Sequence, residues 1–246
     1  MRLQGRLVPV ADVTPARRDA LFALMDRHYE NVRRPAFEAD LDEKQWVILL
    51  ADPATDEICG FSTQVVLHAE AEGRPIKALF SGDTIVDRAH WGDPALAHVW
   101  GRLALALIDA APDEELYWFL ISKGYKTYRF LPLFFREFYP RHDAPTPDGA
   151  RRVLDALARR KFRAGYDAAA GVVRAGPGKD RLRPDVAEVT PERLRDPHVS
   201  FFVRRNPGHV RGEELCCLAP LTRANFTPAA YRVIGPEPAA LGAASR

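Results

Sequence analysis

The chain has 246 residues, enough for one large domain or two small ones around a true apolar core. Hydrophobic residues make up 47% and charged residues 28%, the proportions of an ordinary globular protein. A net charge of +2 from scattered basic residues gives no reason to expect nucleic acid and suits an anionic small molecule. No run approaches ~18 consecutive apolar residues, so no membrane span is expected.

In chain order, MRLQGRLVPVADV carries no signal-peptide core, and residues 6–10 read as a short strand. Thr14-Pro15 then opens a helix, with Thr14 as cap and Pro15 in the first turn. Leu21, Leu24, Met25 and His28 recur at helical spacing, Tyr29 closes the stripe, and Asn31 to Phe37 read as a loop. Trp46–Leu50, Ile58–His68 and Pro75–Val86 are apolar runs separated by DPATDE and EAEGR, an antiparallel meander. At Asp93-Pro94 the period changes to that of a helix, with Leu96, Val99, Trp100, Leu103 and Leu107 on one face. Leu116–Ile121 follows as a strand, and a helix between two strands implies a parallel crossover. The expected fold class is α/β (α+β), a mixed and mostly antiparallel sheet with helices on both faces.

Tyr128–Tyr139 reads as an aromatic helix with Pro132 in its first turn and Pro140 at its end. Thr146-Pro147 repeats the cap signature before Val153, Leu154, Leu157 and Ala158, and a basic cluster follows where the helix dipole favours cations. Residues 174–197 read as loop. Val199–Val203 and Glu214–Leu218 read as a hairpin around NPGHVRG. The tail after Ile234 is expected to fray. The three cysteines give neither a disulfide framework nor a zinc signature, and they suggest a reducing cytoplasm. Cys59 reads as buried filler, and of the vicinal pair Cys216-Cys217 at most one is expected in a core, because neighbours in a strand point to opposite faces. The histidines show no metal-ligand spacing, so no metal is expected.

The order strand, helix, meander, then SGDTIVDRAHWGDPALAHVW (81–100) and a parallel strand resembles the GNAT superfamily of N-acyltransferases over roughly residues 1–140. The resemblance implies one GNAT-like domain over 1–235, with the late hairpin as its last two strands, an enlarged insertion at 141–198 and a tail at 236–246. It implies that acetyl-CoA or another acyl-CoA binds on backbone amides between the fourth strand and the next helix. There Arg88 aligns with the opening basic residue of the family's Arg/Gln-x-x-Gly-x-Gly/Ala run. Trp91 and Asp93 stand at the glycine positions, and Gly92 falls between them. Arg88, Trp91, Gly92, Ala95, Ser122 and Lys123 are the cofactor-binding candidates. Amides at a helix start can cradle an anion without the motif, and Trp91 either offers a face for adenine or seals the core below the loop.

Acyl transfer needs a base for the incoming amine and an acid for the leaving thiolate. Asp83, beside Gly82 in an apolar strand, is the candidate base, with Ser81 and Thr84 in the same cleft. His90 titrates in a suitable range, and Asp87 and Arg88 are expected to form a local ion pair. The resemblance places a Tyr acid after the following strand, where Tyr128 and then Tyr125 match. The expected function is acyl-CoA-dependent transfer to a small-molecule amine, from CoA or from an acyl carrier protein. The alternative is a fold of this kind with lost or altered chemistry, binding a ligand or a partner. The insertion and open sheet edges would suit a homodimer.

Overall fold

The computed structural model describes residues 2–235. Strand β1 (Gln4–Pro9) leads into α1 (Pro15–His28), whose first turn is capped as expected: the Thr14 hydroxyl accepts from the Arg17 N–H at 3.3 Å. The short β2 (Tyr29–Glu30) follows, and then α2 (Arg34–Asp42). The segment from Asn31 to Phe37, expected as loop, is helical from Arg34 onward. Pro35 starts the helix, Phe37 and Leu41 bury one face at i, i+4 spacing, and Arg34 pairs with Glu38 at 2.6 Å one turn on.

The meander is β3 (Trp46–Ala51), β4 (Ile58–Ala71) and β5 (Arg74–Val86). Helix α3 (Ala95–Ala110) crosses over to β6 (Leu116–Ser122), which lies parallel to β5. The aromatic segment then departs from expectation. It forms two short helices, α4 (Tyr125–Tyr128) and α5 (Phe130–Phe134), and runs extended afterwards, with Phe135 bridging to Phe226 and Tyr139 to Leu218. Its aromatics are drawn off one by one into the core around Trp100 and Trp118, whose rings lie 4.5 Å apart.

Helix α6 (Asp148–Phe162) buries Val153, Leu154, Leu157 and Ala158 as expected, but Pro147, not Thr146, occupies its cap position and no side chain caps it. The rest of the 141–198 segment supplies β7 (Tyr166–Asp167), β8 (Val172–Val173) and β9 (Arg181–Leu182). The expected late hairpin is not formed. Val199–Val203 lies inside helix α7 (Pro197–Arg205), where the Asp196 carboxylate accepts from the His198 N–H at 2.9 Å and Pro197 sets the first turn. Val199 and Phe202, one turn apart, are its fully buried residues, so helical period overrode β-branched propensity. Only β10 (Glu214–Pro220) is a strand, and α8 (Pro228–Ile234) closes the described chain. Residues 236–246, the expected fraying tail, lie outside the described residues.

The sheet order is β1-β3-β4-β5-β6-β10-β8-β7, antiparallel throughout except between β5 and β6. Helices α3, α7 and α8 pack on one face, and α1, α2 and α6 on the other. This is the mixed, GNAT-like α/β architecture expected from the element order. Both faces being covered explains the vicinal cysteines. Cys217 packs among the residues of α3 and α7 and Cys216 among those of α6, so both are buried, contrary to expectation. Cys59 is only partly buried, its thiol turned toward the Glu57 carbonyl.

Candidate functional site

Strands β5 and β6 pair from Lys77↔Leu116 to Ser81↔Leu120 and then part. Beyond that point β5 stays with β4 as far as Val86, and β6 stays with β10 as far as Ser122. Two central strands that follow their outer neighbours leave a wedge between them. A cavity of about 610 Å³ fills it, large enough for a sizeable organic ligand. Its walls come from the end of α1, β2, α2, the loop before α3, α4, the end of α6 and residues 176–187.

The register of β4 against β5 slips at the wedge. Gln64 faces Ser81 and Ser62 faces Thr84, so one residue on β4 opposes two on β5, Gly82 and Asp83. This is a β-bulge, a device that re-aims a side chain. A side chain at Gly82 would meet the Thr63 hydroxyl at 2.6 Å and Lys44 Cε at 2.9 Å, so the bulge needs glycine there. The Asp83 carboxylate enters the cavity and has no hydrogen-bond or ion-pair partner among the described residues. Burial, and then repulsion from Asp40, push its pKa up to about 6, with Lys123 and Lys44 opposing. The bulge thus presents the Asp83 carboxylate to the cavity.

The lysines around it are taken. Lys44, its side chain fully buried, reaches Asp40 at 2.5 Å, and Lys161 bonds Glu43 and lies 3.6 Å from Asp40. Lys123 sits between Asp180 and Glu214. Burial works against its charge, but those two carboxylates raise its pKa. Lys123 thus lines the cavity while already paired with two carboxylates.

The other end of the cavity is cationic. Trp91 is 44% exposed, its indole N–H donates to the Val86 carbonyl at 2.9 Å, and Lys126 Nζ lies 3.1 Å from its ring centroid. Burial, and then Arg88 and Arg193, lower the Lys126 pKa to about 8. Arg88 lies over the outer part of the same ring and pairs with Asp185 at 2.6 Å, not with Asp87, which pairs with Arg27 at 2.5 Å. Gly92 lines the cavity with φ +95°, a conformation that favours glycine. His90 stands at the rim. Ala95 does not line the cavity, and its N–H already donates to the Asp93 carboxylate at 2.8 Å, so the start of α3 carries its own anion.

Three further candidates lie outside the cavity lining. Tyr128 is fully buried, packs on Phe138 and Phe202, and its hydroxyl donates to the Pro140 carbonyl at 2.8 Å. Tyr125 is buried in the same core, and the Ser122 hydroxyl donates to the Gly124 carbonyl at 2.8 Å. None of the three lines the cavity. Of the seven tyrosines, Tyr29 alone does so. Its hydroxyl has no hydrogen-bond partner among the described residues, and burial raises its pKa. The sequence signal for it was weak, a tyrosine closing an apolar stripe.

Residues 176–187 form a strap over the cavity. β9 pairs with β2, the Arg183 N–H donates to the His28 carbonyl at 3.0 Å, and Arg181 pairs with Glu30 at 2.7 Å. Val186 accepts from Lys126 Nζ at 2.7 Å, and Asp185 holds Arg88.

No protein-family model matches the chain, and no curated protein matches it. Among solved structures, a GNAT family N-acetyltransferase from Escherichia coli in complex with CoA is 14% identical over 53% of this chain and 68% of its own, with a TM-score of 0.39. A conserved Enterococcus faecalis protein of unknown function, described as a probable N-acyltransferase, is 13% identical over 55% of this chain and 33% of its own, with a TM-score of 0.41. Saccharomyces cerevisiae N-myristoyltransferase with bound myristoyl-CoA is 11% identical over 50% and 30%, with a TM-score of 0.34. The chain thus spans about a third of the length of the last two.

Proposed function

We propose that the protein is an acyl-CoA-dependent N-acyltransferase acting on a small-molecule amine by direct transfer. The observation that carries this reading is the unpartnered Asp83 carboxylate, presented by a bulge at the point where two parallel strands part around a cavity. Lys126, Arg88, Arg193 and Trp91 suit the diphosphate and adenine of an acyl-CoA, because cations and an aromatic face are what those groups take. The thioester supplies an activated acyl carbon.

The chain's own groups do the rest. Asp83 takes a proton from the amine nitrogen as that nitrogen bonds the acyl carbon and the carbon–sulfur bond breaks. Tyr29, the tyrosine that lines the cavity, would give its hydroxyl proton to the departing sulfur and regain one from solvent.

A second reading is favoured by one observation: Asp93 caps the α3 amide and Asp185 holds Arg88, so internal carboxylates stand where phosphate would. That reading is a ligand-binding protein of altered chemistry. Thermal stabilisation by CoA, acetyl-CoA and longer acyl-CoAs, followed by thiol release in the presence of an amine panel, decides between them. A saturable shift with amine-dependent thiol release supports the transferase. A shift without release in any pairing supports the second reading.

A further inference from the structure

Beneath the bulge lies a run of polar side chains in what is otherwise an apolar sheet. Ser62 and Gln64 on β4 and Ser81 on β5 are each less than a tenth exposed. Trp118 Nε1 donates to Ser81 Oγ at 3.0 Å, and Ser81 Oγ donates to Gln64 Oε1 at 2.7 Å. Gln64 Nε2 donates to Ser62 Oγ at 2.7 Å, Ser62 and Thr84 hydroxyls lie 2.7 Å apart, and Thr84 Oγ1 donates to the Gly82 carbonyl at 3.2 Å.

The direction of this chain is fixed from its first member. An indole N–H can only donate, so Ser81 accepts there and passes its own proton to the Gln64 carbonyl. Ser62 accepts from the Gln64 amide and donates to Thr84, whose proton is left for Gly82. The Gln64 amide separates its oxygen from its nitrogen, so the chain is a mechanical linkage, not a route for protons.

Its path matches the bulge. The Ser81–Gln64 link lies before the extra residue, the Ser62–Thr84 link lies after it, Gln64 joins the two along β4, and the last bond returns to Gly82, the residue before Asp83. A strand pair with an extra residue has lost ladder hydrogen bonds and can slip, and a slip by one residue would turn Asp83 to the other face. Valine or isoleucine would pack at these positions without any polar group to satisfy. A fully satisfied buried polar chain instead gives the bulge one geometry.

We propose that Trp118, Ser81, Gln64, Ser62 and Thr84 form a positioning device that holds Gly82 and Asp83 in the bulged register, so that the carboxylate faces the cavity. The proposal rests on the reading of Asp83 as the base. The test is T84V and Q64L, with T84S as the rescue, each with two readouts. One is titration of the Asp83 carboxylate by carbon NMR, which needs no turnover. The other is kcat and KM for amine acylation by acetyl-CoA. The expected result is a displaced Asp83 titration and a kcat reduced ~10- to 100-fold in T84V and Q64L. The KM for acetyl-CoA stays within about threefold, and T84S restores both readouts. An Asp83 titration identical to wild type in folded T84V overturns the proposal, whatever the turnover. If no variant nor the wild type transfers an acyl group but T84V still displaces the titration, the positioning device stands and the transferase reading falls. Should Q64L fail to fold, T84V and T84S carry the test alone.

Discussion

At the β5 bulge a carboxylate is crowded by carboxylates, and at the Trp91 mouth an ammonium is crowded by guanidiniums. Asp83 is buried and Lys126 half-buried, and each is pushed toward its neutral form, Asp83 upward and Lys126 downward. Lys123 is more deeply buried than Lys126 but sits between two carboxylates and is held charged. Lys123 is matched by carboxylates, whereas Asp83 and Lys126 have no ion-pair partner among the described residues. A ligand carrying a proton to give up at one end and an anion at the other satisfies both ends at once. Under the proposed transferase reading, the amine and the nucleotide-bearing acyl donor would supply those two groups.

The largest effect is expected at Asp83. D83N removes the carboxylate with little change of shape, and amine acylation is expected to fall by ~10²- to 10⁴-fold while the thermal shift by acetyl-CoA remains. A D83N protein with unaltered turnover removes Asp83 from the mechanism. In wild type, kcat/KM should climb as pH rises through about 6 and then level, as the base loses its proton.

The same group also couples stability to pH. The folded state binds a proton at Asp83 more tightly than the unfolded chain does, so between the ordinary value of 3.8 and about 6 the unfolded state holds fewer protons. Stability from this group is therefore lost as pH rises through that window, by at most about 3 kcal/mol. D83N should be more stable than wild type at pH 7 and show less of that decline, as urea unfolding at pH 4 and pH 7 would show. An equal loss in both proteins would place the titrating group elsewhere.

At the other end, K126M leaves a similar bulk without the charge. Acetyl-CoA affinity is expected to weaken about tenfold, a loss of about 1.4 kcal/mol, with kcat at saturation close to wild type. Calorimetric titration reads the first and steady-state kinetics the second. The smallest effect belongs to Tyr128, outside both ends. Y128F loses one hydrogen bond to Pro140 and should cost about 1 kcal/mol of stability with turnover intact. A large loss of kcat in Y128F would return that hydroxyl to the chemistry.

What could be read in the sequence was what neighbouring residues decide. Asp83 stood out because a carboxylate beside Gly82 interrupts an apolar strand, and the cap at Thr14 and the change of period at Pro94 set the helix ends to within a residue. What could not be read depends on residues far apart. The direction of the Tyr128 hydroxyl is set by Pro140 and by α7, and neither position marks it in the local pattern. Asp40 sits on a helix whose start looked like loop, and its effect on Asp83 exists only once α2 lies against β5. The strap was visible only as a stretch rich in Arg, Pro, Gly and Asp. Its use emerged from Asp180, Asp185 and Val186 meeting Lys123, Arg88 and Lys126.

The walls of the cavity also set an order of assembly. Tyr29 pairs with Leu182, Asp40 meets Lys161, and Lys123 closes on both Asp180 and Glu214. The hairpin β4–β5 and the crossover to β6 need only nearby chain, whereas these closures join segments separated by much of the sequence and carry the larger loop entropy. The β4–β5 hairpin and the crossover to β6 can therefore form before the cavity does. During synthesis the cavity wall is incomplete until Glu214 has emerged, because Lys123 then gains its second carboxylate and β6 its β10 neighbour.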